Sequence, residues 1–477
     1  MRRLVSVVSL GFALTLMGVR PSAAAGPVPT YTKDVAPIMF AKCVMCHRPG
    51  EVAPMSLLTY SDVRPWTKAI AGKVSTREMP PWGADPRYGT FTNDRSLTAS
   101  EIETIVAWAT GGAPKGSDAD LPPAPSFASG WEHGEPDAVI EMLAPFHVPA
   151  EGELDNLSFY APVPFKEDRF GRLVEFRPGN RSVVHHCNAS VGDLPEGSTL
   201  NASGELILAD GTRENGRPDQ ARQVSAERAK FANLLDCVPG RSAFPVPSPE
   251  VGFRIPAGKY IRFGLHYQAS GRPDTDRSKI GLWFTDRTAV QELHRLGIGQ
   301  ALKQAADQIG YFRVEGVSEI YDPASGRRWE AGWPPLPPFS ENYTVLGVTP
   351  IVEPITLYGF TPHMHLRGKD MNWILTLPDG RTETLMNVPK YDFSWQIYYE
   401  LAQPRKIPAG STIASVAHYN NTAKNKFNPA PDQPVQWSEQ SWDEMYLPFI
   451  LYTADSEALP ASPTPVTTSP KGKRIQR

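Results

Sequence analysis

The sequence predicts a multidomain chain, a small all-α unit followed by two antiparallel β-sandwiches, and three observations carry that prediction. Apolar residues at helical spacing are confined to the first part of the chain, around Val35, Ile38 and Met39 and again at Ile102, Ile105 and Val106. After Trp131 short runs alternate instead, as in residues 259–268, where Ile261, Phe263, Leu265 and Tyr267 share one face. The 48 prolines and 38 glycines among 477 residues punctuate the chain too often for long helices.

The elements follow in order. Residues 1–25 read as an export signal: Arg2-Arg3, an apolar run over residues 4–19, and Ala23-Ala24-Ala25 as a small-residue cleavage site. The apolar run falls short of the roughly 20 residues of a spanning helix, so cleavage is expected over retention as an anchor. Residues 26–117 form the helical unit. Its second helix is marked near residues 61–74, and its third opens at Thr98-Ala99-Ser100-Glu101, a capping box, and ends at Gly111-Gly112. A linker at 118–130 continues a stretch rich in Pro, Gly, Ser and Asp. The first β unit spans 131–299, a crossing segment 300–345, and the second β unit 346–459. Runs at 205–208, 356–360 and 373–377 supply further strands. The tail, 460–477, is rich in Pro, Ser and Thr and is expected to be disordered.

A formal net charge of −3 offers no concentrated basic surface, so nucleic acid is excluded as a partner. Chemistry enters at Cys43-Val44-Met45-Cys46-His47. Two thiols three positions apart can form thioethers to two vinyl groups while the adjacent imidazole binds iron, so one covalent haem c is expected at Cys43, Cys46 and His47. Met79, in Arg77-Glu78-Met79-Pro80-Pro81-Trp82, is the expected sixth ligand, on a loop stiffened by prolines. Met55 competes for that role, and Met39 and Met45 read as packing residues.

Five of the ten histidines fall in three contexts: His185-His186, Gly264-Leu265-His266-Tyr267, and His363-Met364-His365. Imidazole groups in an exported chain, with thioethers to hand, point to copper before zinc. His363 and His365 would leave a strand on the same face. His266 lies opposite the apolar stripe of its own strand. Adjacent His185 and His186 would point to opposite faces, and can share an ion only where the backbone bends or bulges.

In order along the chain, Ser182-Val183-Val184-His185-His186, Phe263-Gly264-Leu265-His266-Tyr267, Pro362-His363-Met364-His365-Leu366-Arg367-Gly368 and Trp442-Asp443-Glu444-Met445 resemble the copper type II, ascorbate-dependent monooxygenases. This is the family of the peptidylglycine alpha-hydroxylating and dopamine beta-monooxygenases. The resemblance spans Trp131 to Leu459. It implies two coppers, one on His185, His186 and His266 for electron transfer, the other on His363, His365 and Met445 for oxygen activation. Met371 competes with Met445 as the sulfur ligand. The implied fold is a small all-α cytochrome c domain followed by two antiparallel β-sandwich (jelly-roll-like) copper subdomains, and the implied reaction is O₂-dependent hydroxylation of a C–H bond.

His418 is expected to pack or hydrogen-bond nearby, and His133, His147 and His294 are read as structural. Cys187 and Cys237, far fewer cysteines than the animal enzymes carry, are expected to pair in an oxidising compartment, with two free thiols as the alternative. Expected partners are O₂, a small-molecule or peptide substrate and an external donor to the haem, in a periplasmic or extracellular setting with no stable membrane span. The fused haem would replace ascorbate as electron source, since covalent linkage raises effective concentration. Two other classes stay open: an electron-transfer haem/copper protein without oxygenase activity, and a binding module.

Overall fold

The computed structural model describes residues 27–457 except 52, 129, 216–230, 238–241, 286–290, 301, 303–310, 315–332 and 439. The export signal, much of the crossing segment and the tail lie outside the described residues.

Four short α-helices, Ala36–Lys42, Tyr60–Val63, Thr67–Ser75 and Ala99–Thr110, gather around Val35, Met39, Leu57, Val63, Ile105 and Trp108. The capping box of the last helix closes in both directions: the Glu101 N–H donates to Thr98 Oγ1 at 3.2 Å and the Thr98 N–H to Glu101 Oε2 at 2.7 Å. Gly112, at φ 91°, turns the chain away in a conformation that only glycine adopts cheaply.

The helices do not close into a domain of their own. Between Thr67–Ser75 and Ala99–Thr110 the chain leaves the helical layer, and Trp82, Ala84 and Phe91 pack into the core of the C-terminal sheets. Phe91 forms a β-bridge with Leu401, the Asp85 N–H donates to Asn387 O at 2.8 Å, and Asn93 Nδ2 donates to Tyr398 O at 2.6 Å. That proline-broken stretch has no helical apolar face, so its aromatic side chains bury where a core is available. The expected fold class, a small all-α cytochrome c domain ahead of two antiparallel β-sandwich (jelly-roll-like) copper subdomains, is corrected accordingly. The described chain is mostly β, built on four main sheets, with short helices stitched onto them rather than forming a separate all-α domain.

Two of the sheets share one hydrophobic core. The first runs Ala138–Glu141, Lys279–Phe284, Arg169–Arg177, Val251–Ile255, Gln291–Glu292, and the second Glu153–Pro162, Tyr260–Gln268, Val184–Gly192, Ala232–Cys237. Alternation places Phe176, Ile280 and Ile255 from the first against Phe159, Phe263 and Leu265 from the second. A disulfide joins Cys187 to Cys237, directly opposite each other on adjacent strands with Cα atoms 5.0 Å apart.

The other two sheets share a second core. One runs His294–Gly297, Leu447–Ala454, Ile355–His363, Tyr399–Ile407; the other runs Tyr311–Val314, Tyr343–Ile351, Ser411–Tyr419, Gly368–Thr376, Thr382–Val388. Trp373, Phe360, Ile413 and Tyr446 are buried between them. Among the described residues no helix is long and apolar enough to cross a membrane.

Candidate metal centres

The strand Val184–Gly192 carries His185 and His186, and its neighbour Tyr260–Gln268 carries His266. His266 pairs with His186, but Tyr267 pairs with Val184, so His185 is the extra residue of a β-bulge. That one insertion resolves the geometric objection to adjacent histidines. The His185 and His186 rings stack with centroids 4.3 Å apart and planes at 13°, and they lie 5.7 and 5.9 Å from the His266 ring.

Desolvation, reinforced by the neighbouring imidazoles, holds His185 and His186 below the usual histidine range, His186 down to about 3. Both rings are therefore neutral at ordinary pH, the form in which imidazole binds metal. His186 bonds to the Ser394 backbone, while its Nε2 is buried without a hydrogen-bond partner. A buried, unmatched nitrogen costs roughly 1–3 kcal/mol. A metal at that atom would remove the cost.

The second group is assembled differently. His363 ends the strand Ile355–His363, and His365 follows in the loop, with ring centroids 5.2 Å apart. His363 Nδ1 bonds to Gln396 Oε1 at 2.6 Å, and its Nε2 lies 3.1 Å from Met445 Sδ. His365 Nδ1 faces Asp443 O at 3.2 Å. In both rings Nδ1 is engaged, the arrangement that fixes a metal-binding imidazole in one tautomer. Two imidazoles with a thioether suit copper(I). Met371 is instead fully buried in the strand Gly368–Thr376, opposite Val388 and Ala417.

Glu444 organises this second group, a role that reading the sequence did not assign. Its carboxylate accepts the backbone N–H of His365 at 2.9 Å, of Met445 at 3.3 Å and of Arg367 at 2.5 Å. Burial pushes its pKa up to about 7, against the pull of those three donors and the Arg367 charge. Gln396 and Phe393 were missed as well. The Phe393 ring stands between the groups, 6.1 Å from His186 and 5.6 Å from His365. Neither carries a sequence pattern; only the position of Glu444 beside Met445 gave a usable signal.

At the helical end, Cys43 and Cys46 are free thiols, and the Cys46 and His47 N–H groups both donate to Cys43 O, at 3.2 and 3.0 Å. His47 Nδ1 bonds to Met55 O at 3.3 Å, again engaging Nδ1. Burial holds His47 below its usual range, and it pushes the Cys43 thiol up to about 12. Two unpaired thiols beside a neutral, oriented imidazole fit covalent haem attachment. Met55 meets His47 through its carbonyl, not its sulfur. Met79 sits half-buried after Thr67–Ser75, its N–H on Lys73 O at 3.3 Å.

The loop after Cys46-His47 touches the turn that leads into the strand of the first histidine group. Glu51 pairs with Arg48 at 2.9 Å and with Arg181, four residues before His185. The remaining histidines lie elsewhere. His418 bonds to Asp370 at 2.6 Å, His147 faces Thr275 Oγ1 at 3.4 Å, His133 packs 6.4 Å from Trp283, and His294 pairs with Glu457.

No family model matches the chain, and no curated protein matches it. Among solved structures, an allantoicase aligns at 10% identity over 58% of this chain and 81% of its own, with a TM-score of 0.15. A Paenibacillus xanthan lyase aligns at 11% identity over 67% of this chain and 25% of its own, also with a TM-score of 0.15. Likeness at that level fixes neither the fold nor the chemistry of this chain.

Proposed function

We propose that the chain is an exported haem- and copper-containing oxidoreductase that hydroxylates a C–H bond with O₂ at a two-copper site. The observation that carries this reading is the convergence of His185, His186 and His266, with the orphaned His186 Nε2, beside His363, His365 and Met445. Bound there, copper supplies oxygen activation, and a haem on Cys43, Cys46 and His47 supplies single electrons.

The chain's own residues divide the remaining work. Gln396 and Asp443 O hold the second pair of imidazoles in register, and Glu444 ties their loop to Met445. Phe393, partly buried, packs its ring 6.1 Å from His186 in the space between the groups. The Arg48–Glu51–Arg181 contact sets the loop after His47 against the turn that enters the strand of His185 and His186, which supports delivery of electrons to that group. The disulfide agrees with an oxidising, exported setting.

One feature favours the alternative, an electron-transfer haem/copper protein without oxygenase activity: Phe393 lies between the two imidazole groups where an open cleft would admit substrate. Oxygen uptake decides between them. Copper-loaded, reduced chain should consume O₂, and His363→Ala should abolish the uptake while His185 and His186 still retain copper. Reduced, fully loaded chain that leaves O₂ untouched would establish the carrier reading instead.

A further inference from the structure

The strand Ile355–His363 loses its two neighbours at different points. Beside Tyr399–Ile407 its pairing stops at Phe360, opposite Tyr399, whereas beside Leu447–Ala454 it runs on to His363, opposite Leu447. Met364 lies just beyond both ladders, and its side chain is fully buried. A buried backbone N–H and carbonyl that leave a sheet must find other partners. One hydroxyl supplies both: Tyr391 Oη accepts the Met364 N–H at 3.2 Å and donates to Met364 O at 2.6 Å.

Those two bonds fall on different peptide planes. The Met364 N–H belongs to the plane that leads from His363, and the Met364 carbonyl belongs to the plane that leads into His365. Each plane is rigid, so the angle between them rests on the two soft dihedrals of Met364 alone. Holding both planes on one oxygen sets those dihedrals, and with them the relative placement of the two imidazoles.

Packing leaves room for this clamp at a single residue. A Cβ at Gly368 would stand 2.6 Å from Met364 Cβ and 2.9 Å from Tyr391 Cδ1, so a larger residue would push the ring away from Met364. The Tyr391 N–H donates to Lys369 O at 2.9 Å, which anchors the buried ring beside the strand Gly368–Thr376. Gln396 reaches His363 from the same turn, which the Trp395 N–H closes on Asp392 O at 3.0 Å.

We propose that Tyr391 is a positioning residue of the second histidine group: through the Met364 backbone it sets how His363 and His365 present their imidazoles to a metal, and Gly368 is the gap that admits it. The proposal rests on the reading of His363, His365 and Met445 as a copper site, and it does not depend on oxygenation.

The test uses the full mature chain loaded with copper(I). Tyr391→Phe removes the hydroxyl alone, and Gly368→Ala keeps the hydroxyl but displaces its ring. Tyr160→Phe is the control: it removes a buried tyrosine hydroxyl, bonded to Glu214, in the N-terminal sheets. Chelator competition gives copper(I) affinity at each group, X-ray absorption gives the sulfur scattering from Met445, and thermal unfolding gives stability. Tyr391→Phe and Gly368→Ala should each weaken copper(I) at the second group at least about tenfold and lessen the sulfur scattering, with the first group unchanged. Tyr160→Phe should lower the thermal midpoint and move neither copper signal. Wild-type affinity and sulfur scattering in Tyr391→Phe would overturn the proposal while leaving the copper site standing. Equal weakening by Tyr160→Phe would also overturn it, since lost stability would then account for the effect. A wild type with no copper on His363, His365 and Met445 would overturn the copper reading and this proposal together. Should Tyr391→Phe fail to fold, Gly368→Ala decides by the same two copper readouts.

Discussion

The two histidine groups face each other across Phe393, yet they are held by different physics. The group of His185, His186 and His266 sits on the backbone of two paired strands, shaped by one β-bulge and desolvated, with a disulfide at the next residue, Cys187. The group of His363, His365 and Met445 sits at a strand end and two loops, and side chains hold it: Gln396 on His363 and Glu444 on the loop backbone. The first is held by the pairing of its own strands. The second depends on its polar network being complete. A change to the covalent frame should therefore strike the first group, and a change to a hydrogen bond the second.

The largest effect is expected from removing the disulfide. Cys187→Ser/Cys237→Ser opens a loop of 50 residues, a loss of about 4 kcal/mol on the chain-entropy model. Chemical denaturation should show it, and copper should leave His185 and His186 at lower denaturant than it leaves His363 and His365. Simultaneous loss from both would mean that the groups are one cooperative unit.

Glu444→Gln comes next. An amide cannot accept three backbone N–H groups through its one oxygen, so a buried donor is stranded at a cost of roughly 1–3 kcal/mol. Copper affinity should fall at the second group while the first keeps its own, measured by competition with a copper(I) chelator. Equal weakening of both would show that Glu444 supports the two groups alike.

Gln396→Ala touches one ring only. Releasing His363 Nδ1 should cost about tenfold in copper affinity at the second group, with stability changed little. An unchanged affinity would show that the strand, not Gln396, orients His363.

The smallest effect on stability belongs to Arg181→Glu, since a partly exposed ion pair contributes about 0–1 kcal/mol. Its informative readout is kinetic: stopped-flow reduction of copper through the haem should slow, with both cofactors retained. An unaltered rate would separate the Glu51 contact from electron delivery.

Legibility in the sequence follows the same division. Alternation at Ile261, Phe263, Leu265 and Tyr267 announces its strand because burial repeats every second residue. The Thr98–Glu101 box announces its helix because both partners are local. The spacing of His363 and His365 points to one face of a strand, but the strand ends at His363 and His365 follows in the loop; His185 and His186 meet through a bulge, which is set by the partner strand and leaves no local mark. Gln396 and Phe393 sit in an irregular loop whose position depends on the sheets beneath it. The all-α domain was misread for a related cause: Trp82 and Phe91 are adjacent to helices in sequence, but the core that accepts them is more than two hundred residues away.

The most direct measurement is copper and haem content of the mature chain, by elemental analysis and a pyridine haemochrome spectrum, for wild type, His186→Ala and His363→Ala. The account predicts one covalent haem and two coppers in the wild type, and one copper lost in each variant with haem unchanged. Haem without copper in the wild type would contradict it, leaving the imidazole groups as features of packing.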